Sequence, residues 1–484
     1  MSRTVVIAGA GPVGLVLAGE LALHGVESVV IERRTESTED SQGMAIHGRT
    51  LQFLRRRGLG EDLAGQGMWA WPRTPFAFFW LDLETVGEQD YTFALPQWRT
   101  ERLLEERAGA LGVDIRRGQE IVDARQDANG VKVTVRRQDG ETYEIEAAYL
   151  IGCDGPDSTV RELAGIDFTA AGQSYYGVLG DVTLADGASD QFDSGLLPGG
   201  IFGALPLQPG QLRLMTIQFD REPQGPDVPV TVDELRASIE QIAGEAPEIG
   251  TVHWLSRFGG RNRLAERYRN GRILLAGDSA HVQFISGSQG LNTGVQDAAN
   301  LGWKLAATVQ QRAPEGLLDT YESERRPVAE RGRTHAMAQM ALLNPLERMG
   351  PLRELFDELL AHGEVNRKLL QMATETRYGA DAAQDAHPLL GAVLPDAELD
   401  TPTGPTSVAE VMSAGRWLLL DLGAGVSTAL ADELSDRVAV VTAAPVPEID
   451  AALVLVRPDG HVAHVDSTGS EQDGLRGAVK AWFG

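Results

Sequence analysis

The chain has 484 residues, enough for about three domains at the usual size of about 150 residues each. Hydrophobic residues make up 43% and charged residues 23%, a globular composition that excludes a disordered or fibrous chain. The formal net charge of −26 opposes binding to phosphate backbones and anionic lipids, so nucleic acids and membranes are poor candidates as partners.

The single cysteine, Cys153, excludes an internal disulfide, a CxxC redox pair and a thiolate cluster. The nine histidines form no HxxxH or HxH pair, so we expect no metal site. The apolar residues 5–23 resemble a secretory signal, but regularly spaced glycines and Glu20 interrupt them. We expect a folded cytoplasmic protein, since no other run is long enough to span a bilayer.

The first predicted elements form a nucleotide-binding unit. A buried strand over residues 4–7 is followed by the glycines of a GxGxxG motif over residues 9–14 and by a helical pattern. A second strand, residues 28–31, ends at Glu32. The glycines would let the backbone approach a pyrophosphate at the helix N-terminus, and Glu32 would accept hydrogen bonds from an adenosine ribose. The motif predicts a dinucleotide-binding domain without separating NAD from FAD.

A second motif lies further along the chain. Residues 150–152 form an apolar strand that leads to Asp154 and Gly155, and Ser158 is the predicted N-cap of the helix after them. Taken alone, an Asp-Gly pair is an ordinary turn. This motif therefore gains meaning only beside the others.

A third motif covers residues 271–281, where a buried strand ends in a Gly-Asp pair that includes Asp278. A glycine-bearing loop over residues 287–290 follows, and a helix is predicted from Leu291 to about Gln310. The start of this helix would direct free N–H groups and a positive dipole end at a ligand.

With these motifs the whole chain resembles the class A flavoprotein monooxygenases, the group of para-hydroxybenzoate hydroxylase and the bacterial aromatic polyketide hydroxylases. The resemblance is carried by GxGxxG, by DG, and by GDSAH followed by GSQGLNTGVQDAANLGWKL. It implies FAD as cofactor and NADPH or NADH as reductant. Reduced flavin carries negative charge, which the start of the helix at Leu291 would stabilise by about 0.5–2 kcal/mol.

The resemblance also assigns cofactor contacts. Asp278 would hold the ribityl chain, residues 290–292 would face the flavin pyrimidine edge through their backbone, and Gln97 would contact the flavin. Asp154 and Arg161 match the motif implicated in handling both FAD and nicotinamide. The expected cofactor-binding set is Gly9, Gly11, Pro12, Val13, Gly14, Glu32, Arg33, Gln42, Gln97, Val122, Asp154, Arg161, Asp278, Gly287, Gln289, Gly290, Leu291 and Asn292. No residue is assigned a catalytic role, because the flavin carries out the chemistry and the protein orients and shields it.

Two positions depart from the family pattern. Ile285 stands where the family has a proline near the reactive face of the flavin, and Gln42 stands where it commonly has an arginine. Ile285 restores one N–H donor, and Gln42 removes a fixed cation. One interpretation is drift within a working oxygenase. The other is altered flavin chemistry, such as weaker FAD binding or a rearrangement that needs no long-lived hydroperoxide.

The predicted fold class is α/β. A Rossmann-like FAD-binding domain comprises residues 1–75, 98–167 and 265–330. Residues 76–97 and 168–264 carry aromatic-rich strands with period-two patterning, which predict an inserted mixed-sheet domain that binds the substrate.

The aromatic residues of this insertion suit a flat polycyclic ligand, although Phe76, Phe78 and Trp80 would equally form one packed face of a sheet. A helical connection is expected over residues 331–393. Residues 394–484 resemble the thioredoxin-like C-terminal domain of larger family members, but the lack of a CxxC pair excludes dithiol chemistry.

The predicted function is an FAD-dependent, NAD(P)H-consuming monooxygenase that hydroxylates a phenolic polycycle, an aromatic polyketide of antibiotic biosynthesis, through a flavin C4a-hydroperoxide. The expected partners are this small molecule and dioxygen, and a homo-oligomer is allowed. One alternative keeps the flavin but performs Baeyer–Villiger, ring-opening or reductive chemistry. The other is a flavin-binding protein without turnover that supports a partner enzyme.

Overall fold

The computed structural model describes residues 3–39, 43–71, 73–83, 92–186, 194–208, 210–225, 228–285, 289–374, 376–378, 387–426, 434, 437–469 and 472–483. The strands are β1 Val5–Ala8, β2 Ser28–Glu32, β3 Ala45–His47, β4 Trp69–Trp71, β5 Arg73–Phe76, β6 Phe79–Asp82, β7 Thr92–Ala94, β8 Asp114–Arg117, β9 Gln119–Gln126, β10 Val131–Arg137, β11 Thr142–Ala147, β12 Tyr149–Gly152, β13 Phe168–Leu184, β14 Gly195–Leu197, β15 Gly200–Gln208, β16 Gln211–Phe219, β17 Ile249–Ala265, β18 Arg269–Asn270, β19 Ile273–Leu275, β20 His281–Val282, β21 Glu398–Thr401, β22 Gly404–Ser407, β23 Trp417–Asp421, β24 Val438–Thr442, β25 Leu453–Val456 and β26 Val462–Asp466. The helices are α1 Pro12–Leu23, α2 Gly48–Arg55, α3 Gly60–Gly65, α4 Gln97–Ala110, α5 Thr159–Leu163, α6 Val232–Ala243, α7 Gln289–Val309, α8 Thr320–Leu343, α9 Leu346–Leu360, α10 Gly363–Thr374, α11 Val408–Val411 and α12 Gln472–Phe483.

The N-terminal part of the chain is built on a sheet with the order β18-β19-β12-β1-β2-β8, parallel from β19 to β8. All four residues of β1 are buried, as expected for a strand covered on both faces. The register aligns Ala8 with Ile31 on one side and Gly152 on the other, and Gly152 with Leu275. Four neighbouring strands therefore end level with one another, which places the loops after them at one edge.

A second sheet has the order β14-β15-β16-β13-β17-β20 and is antiparallel throughout. Its two longest strands, β13 and β17, have 17 residues each. Strand β20 follows the loop at Asp278 directly, and its His281 pairs with Leu264 of β17. The loop that follows the last parallel strand is therefore tied to both sheets.

The aromatic residues 76–81, predicted to be strand, form two strands rather than one, because Ala77 and Phe78 are the turn of a hairpin between β5 and β6. Ala77 and Phe78 both have positive φ, +50° and +62°, as a tight two-residue hairpin turn requires. The turn breaks the period-two pattern, so Phe76 and Phe79 are buried whereas Trp80 is 51% exposed. Phe76, Phe78 and Trp80 therefore do not form one packed face.

Helices connect the two sheets to the C-terminal part. Helix α8 does not end at Pro327 but continues to Leu343, and Tyr321 and Arg325 anchor it by being almost fully buried. Tertiary packing here outweighs the loss of one helical hydrogen bond at the proline. Among the described residues no helix is both long and apolar enough to cross a membrane.

The C-terminal part contains a four-stranded sheet with the order β24-β23-β25-β26, in which only β23 and β24 are parallel. The C-terminal part docks on the N-terminal part through two arginines that follow α2 directly. Arg56 pairs with Asp396 at 2.7 Å, and Arg57 donates to the carbonyls of Met412 and Pro458. These contacts join segments more than 330 residues apart in sequence.

Candidate functional site

The three sequence motifs meet at the edge where the parallel strands end. Glu32 ends β2, Asp154 follows β12 and Asp278 follows β19, with β1 and its glycine-rich loop lying between β12 and β2. Three strand spacings separate β2 from β19, which corresponds to about 14 Å. The edge therefore offers three acidic loops along one line, the arrangement that an extended dinucleotide needs.

The three glycines of the first loop serve different geometric purposes. Gly9 has φ +98°, and a Cβ there would lie 2.4 Å from the carbonyl oxygen of Cys153. A Cβ on Gly14 would lie 2.1 Å from the oxygen of Gly9, so this glycine lets α1 approach β1. A Cβ on Gly11 would meet nothing within 4 Å. Gly11 therefore borders open space in front of α1, and its neighbours pack the protein against itself.

The N-terminus of α1 is available to a ligand. Gly11 is its N-cap and Pro12 its first residue, and no described side chain caps it. The backbone N–H groups of Val13 and Gly14 consequently point into the space beside Gly11. Unpaired N–H groups at a helix N-terminus form an anion site, which suits a pyrophosphate.

Glu32 links the end of β2 to the same loop. One of its carboxylate oxygens accepts from the N–H of Ala10 at 2.7 Å, and the other accepts from the N–H of Arg34 at 2.8 Å. Each oxygen keeps a further lone pair with which a ribose hydroxyl could bond. Arg33 is exposed.

Gln97 and Val122 lie on elements beside this acid. Gln97 begins α4, and its side chain donates to Glu101 at 2.7 Å; burial raises the pKa of the Glu101 carboxyl, an effect that the nearby Glu32 increases. In β9 the pairing passes from Asp123 to Ile121, so Val122 lies in a β-bulge without a cross-strand partner. A bulge redirects the backbone, and here it does so next to the strand that ends in Glu32.

The loop after β12 is fixed by its own polar residues. Ser158 caps α5 as predicted, accepting from the N–H of Arg161 at 2.9 Å, and it donates to Asp154 at 2.5 Å. Arg161 donates to the carbonyl of Ser279 at 3.1 Å and stacks on the Phe168 ring at 4.1 Å. Asp154 therefore orders this loop, and Arg161 holds it against the loop that carries Asp278.

Asp278 differs from the other two acids. It makes no hydrogen bond to another described residue, and its side chain is exposed to solvent. The protein surrounding the carboxyl nevertheless desolvates it and raises its pKa. A side chain that is open to solvent yet surrounded by protein lines a cleft. One of its oxygens lies 3.6 Å from the position that a Cβ on Gly290 would occupy, so the acid faces the start of α7.

Helix α7 begins at Gln289, two residues before the predicted start at Leu291, so Gly290, Leu291 and Asn292 lie in its first turn. The Asn292 side chain accepts from the N–H of His47 at 2.8 Å and donates to the carbonyl of Ala45 at 3.1 Å. This side chain thereby fixes the first turn against β3 and leaves its backbone facing the cleft.

Val13 brings α1, the Asp278 loop and α7 into contact. A Cβ on Gly277 would lie 2.9 Å from a Val13 methyl group, and one on Gly294 would lie 2.6 Å from it. The two glycines therefore make room for Val13. Gln42 and Gly287, the other members of the predicted set, lie outside the described residues.

A buried ionic group that the sequence motifs did not indicate lies behind the Asp278 loop. Asp297 of α7 is fully buried and accepts from His281 and from Arg325, each at 2.7 Å, and from the N–H of Gly277 at 3.1 Å. Arg325 also donates to Tyr378 at 3.0 Å. Burial opposes ionisation of Asp297, but the Arg325 and His281 charges outweigh it and lower its pKa.

A second such group joins α7 and α8 to the C-terminal part. Arg457 donates to both oxygens of Glu324 at 2.8 Å and pairs with Asp459 at 2.5 Å, while Lys304 lies 2.7 Å from Glu324. Burial alone would raise the pKa of the Glu324 carboxyl, but Arg457 and Lys304 have the larger effect and lower this pKa to about 2. The sequence shows only that the polar residues 297, 300 and 304 share one side of α7, a pattern that normally indicates a solvated face.

Comparison with known proteins agrees with this geometry. Residues 2–336 match the family model described as an FAD-binding domain, and residues 387–484 match that of the aromatic-ring hydroxylase C-terminal domain. A dialkyldecalin synthase from Streptomyces rugosporus is 43% identical over 100% of this chain and 99% of its own. A 12-dehydrotetracycline 5-monooxygenase/anhydrotetracycline 6-monooxygenase from Streptomyces rimosus is 41% identical, with the same coverage.

Among solved structures, an anhydrotetracycline hydroxylase from Streptomyces rimosus superposes with a TM-score of 0.90 at 41% identity, covering 100% of this chain and 99% of that one. The cleft has the arrangement that a dinucleotide needs, and the two family models together match nearly the whole chain. Both findings indicate the same family. The chain therefore belongs to the class A flavoprotein monooxygenases, FAD-dependent enzymes of the aromatic-ring hydroxylase type.

Proposed function

We propose that this enzyme uses NADPH or NADH and dioxygen to hydroxylate a phenolic polycyclic substrate of the aromatic polyketide type. The observation that carries the proposal is one cleft that combines the uncapped start of α1, the open space at Gly11 and the free carboxyl of Asp278. When bound there, FAD supplies the redox chemistry, taking electrons from the nicotinamide and activating dioxygen.

Different residues of the cleft bind different parts of the cofactor. The N–H groups at the start of α1 bind the pyrophosphate, and Glu32 binds the adenosine ribose. The bulge at Val122 offers backbone groups to the adenine. Asp278 accepts from the ribityl hydroxyls, and the first turn of α7 from Gly290 donates to the pyrimidine edge. Negative charge on the reduced ring is stabilised by the positive end of α7.

The second sheet provides the substrate side. Its aromatic cluster contains Tyr175 and Phe284 in edge contact at 4.9 Å, with Phe258 and Phe219 within 6.3 Å of one or other ring. Flat apolar side chains suit a polycyclic ring system and exclude water from the reacting oxygen. The relatives' substrates, anhydrotetracycline among them, motivate the choice of a polycyclic phenol.

The purified protein should be yellow, and a phenolic polycycle should accelerate its oxidation of NADPH or NADH. A reaction under ¹⁸O-labelled dioxygen tests oxygen transfer, because one labelled atom is expected in the product. A colourless protein that cannot be reconstituted with FAD would contradict the proposal. So would a product that lacks the label.

A second candidate is a ring-forming reaction in which the flavin transfers no oxygen. Two observations favour it: the 43% identity to a dialkyldecalin synthase, and Ile285 in place of the family proline, 37% exposed next to the start of α7. This candidate predicts a product with the mass of its substrate, formed without dioxygen or reductant. Turnover that stops under anaerobic conditions would exclude it.

A further inference from the structure

One face of α8 is more polar than its position explains. Residues 328, 331, 332, 335, 336 and 339 follow helical spacing and together line an internal cavity. A helix face turned to the interior is normally apolar. Here His335 and the buried Gln339 interrupt Val328 and Ala336 where the face turns inward, and the exposed Arg331 lies at the outer end of the same face.

The cavity lies between α8 and the flavin side of the cleft. Its opposite wall contains Gln289 and Thr293 from the start of α7, Phe284 next to Ile285, and Phe76 from the hairpin turn. It therefore adjoins both the helix that faces the flavin in the proposed complex and the aromatic layer assigned to the substrate.

The described residues that line the cavity carry positive charge and no acid. Of the described residues that line it, Arg331 is the only one with a formal charge, in a chain with 69 acidic residues. Arg331 makes neither an ion pair nor a hydrogen bond with another described residue. Its neighbours on α8, Arg326 and Arg333, both lie within 3.9 Å of Glu330. A guanidinium left without a counter-ion at a cavity wall attracts an anion.

His335 lies one turn deeper. It makes no hydrogen bond with another described residue, and burial together with Arg331 lowers its pKa, which favours the neutral imidazole. A neutral imidazole offers one donor and one acceptor. Gln339, at the inner end, is buried and already accepts from the N–H of Ala77 at 2.9 Å. Arg331 is exposed and lies at the mouth.

The cavity is large enough for a polar group of the substrate. Its volume is about 40 Å³, and about 10–15 Å³ is enough to hold one water. An ionised oxygen therefore fits there together with its hydrogen-bond partners. A Cβ on Gly332 would lie 2.5 Å from the side-chain nitrogen of Gln283, so this glycine lets Gln283 pack closely against α8 at the cavity wall.

We propose that this cavity holds an ionised oxygen of the aromatic substrate, a phenolate or enolate, with Arg331 as its counter-ion and His335 as its hydrogen-bond partner. The inference rests on the proposed function, since it assumes a phenolic polycycle. The rings remain outside the cavity, against the aromatic layer, and the anchored oxygen sets which edge of the ring system faces the flavin. An ionised hydroxyl also raises the electron density of its ring, which favours oxygen transfer to carbon.

The test uses the FAD-loaded enzyme and two probes, emodin, which has acidic phenols, and emodin trimethyl ether, which has none. Difference absorption spectra report both the affinity and the ionisation state of the bound probe. At a pH below the solution pKa of emodin, the wild type should bind it with the red-shifted phenolate spectrum. Arg331→Gln should weaken this binding about tenfold or more and return the neutral spectrum, and Arg331→Lys should retain most of it.

Two controls separate the anchor from general damage. Arg333→Gln changes an arginine on the same helix that lies 3.8 Å from Glu330 and does not line the cavity, so it should bind emodin as the wild type does. The trimethyl ether should bind wild type and Arg331→Gln equally. His335→Ala should weaken emodin more than the ether.

The proposal would be overturned if the wild-type enzyme bound emodin in its neutral form, bound the ether as tightly as emodin, or bound no emodin. An Arg331→Gln variant with unchanged affinity and spectrum would also overturn it. These results are distinct from failure of the proposed function, which would appear as a protein that takes up no FAD or fails to oxidise NADPH and NADH.

Discussion

Replacing Asp297 by asparagine should destabilise the protein and weaken FAD binding, because Asp297 holds the loop that presents Asp278 to the cofactor cleft. One carboxylate oxygen accepts from the Arg325 guanidinium, and the other accepts from His281 and the N–H of Gly277. Asparagine has nearly the same shape but replaces one acceptor by a donor and removes the charge. At least one of these donors loses its partner, and Arg325, which is 1% exposed, keeps a buried charge without a counter-ion.

The magnitude follows from that buried charge. Removing one member of a buried ion pair costs about 3–5 kcal/mol, because the remaining charge is neither solvated nor paired. Urea unfolding of the apoprotein should show this loss as a lower midpoint with an unchanged slope. The FAD dissociation constant should rise about tenfold or more, since the Gly277 N–H fixes the loop that presents Asp278.

A matched control is Glu330→Gln on α8. Its carboxylate lies 3.9 Å from Arg326 and 3.8 Å from Arg333 but is 51% exposed, so its loss should cost less than about 1 kcal/mol. The double variant Asp297→Asn, Arg325→Met should recover part of the lost stability, because no unpaired charge remains. If Asp297→Asn costs no more than Glu330→Gln, the reasoning about the buried ionic group is refuted.

Three further predictions test the remaining geometry. Gly11→Ala should change the free energy of unfolding of the apoprotein by less than about 1 kcal/mol but weaken FAD binding. Gly14→Ala should destabilise the apoprotein by about 2 kcal/mol or more, because its Cβ would clash with the Gly9 carbonyl. Unfolding and flavin titration of both variants separate the two roles. Ser158→Ala should cost about 1 kcal/mol by removing the α5 cap, measured by thermal unfolding, and an unchanged stability would exclude the capping role. The pKa of Glu324, about 2 against an ordinary 4.5, should contribute up to about 3 kcal/mol that is complete above pH 4.5 and is lost as the pH falls towards 2, so urea unfolding of Glu324→Gln should depend less on pH in that window than the wild type.

Features set by local sequence were predictable. The strand, glycine loop, helix and acid at the N-terminus occur where the pattern placed them, and Ser158 caps its helix. The hairpin turn at Ala77 and Phe78 was not predictable, because neither residue is one that favours positive φ. The aromatic run there has strong β propensity, whereas the turn is favoured by packing of Phe76 and Phe79 in one buried cluster, against Phe356 of α9.

The buried ionic groups were not predictable for a different reason. Arg325 and Asp297 are 28 residues apart, and Arg457 and Glu324 are 133 apart. On a helix, such residues normally indicate a solvated face. Their burial depends on which helices cover one another, and no local pattern contains that information.

The three acids at the strand ends also show that a motif does not fix a role. Glu32 and Asp154 accept hydrogen bonds from within the protein, from the backbone N–H of Ala10 and from the hydroxyl of Ser158 respectively. They thereby fix the conformation of the loops that contact a cofactor. Asp278 has no such partner among the described residues, and it alone has both oxygens free for a ligand. In the sequence each of the three acids lies at the end of a predicted buried strand or just after it, which does not show how its oxygens are bonded. The hydrogen bonds separate them: loss of Asp154 should first disturb the fold of its loop, whereas loss of Asp278 should first weaken the hold on the cofactor.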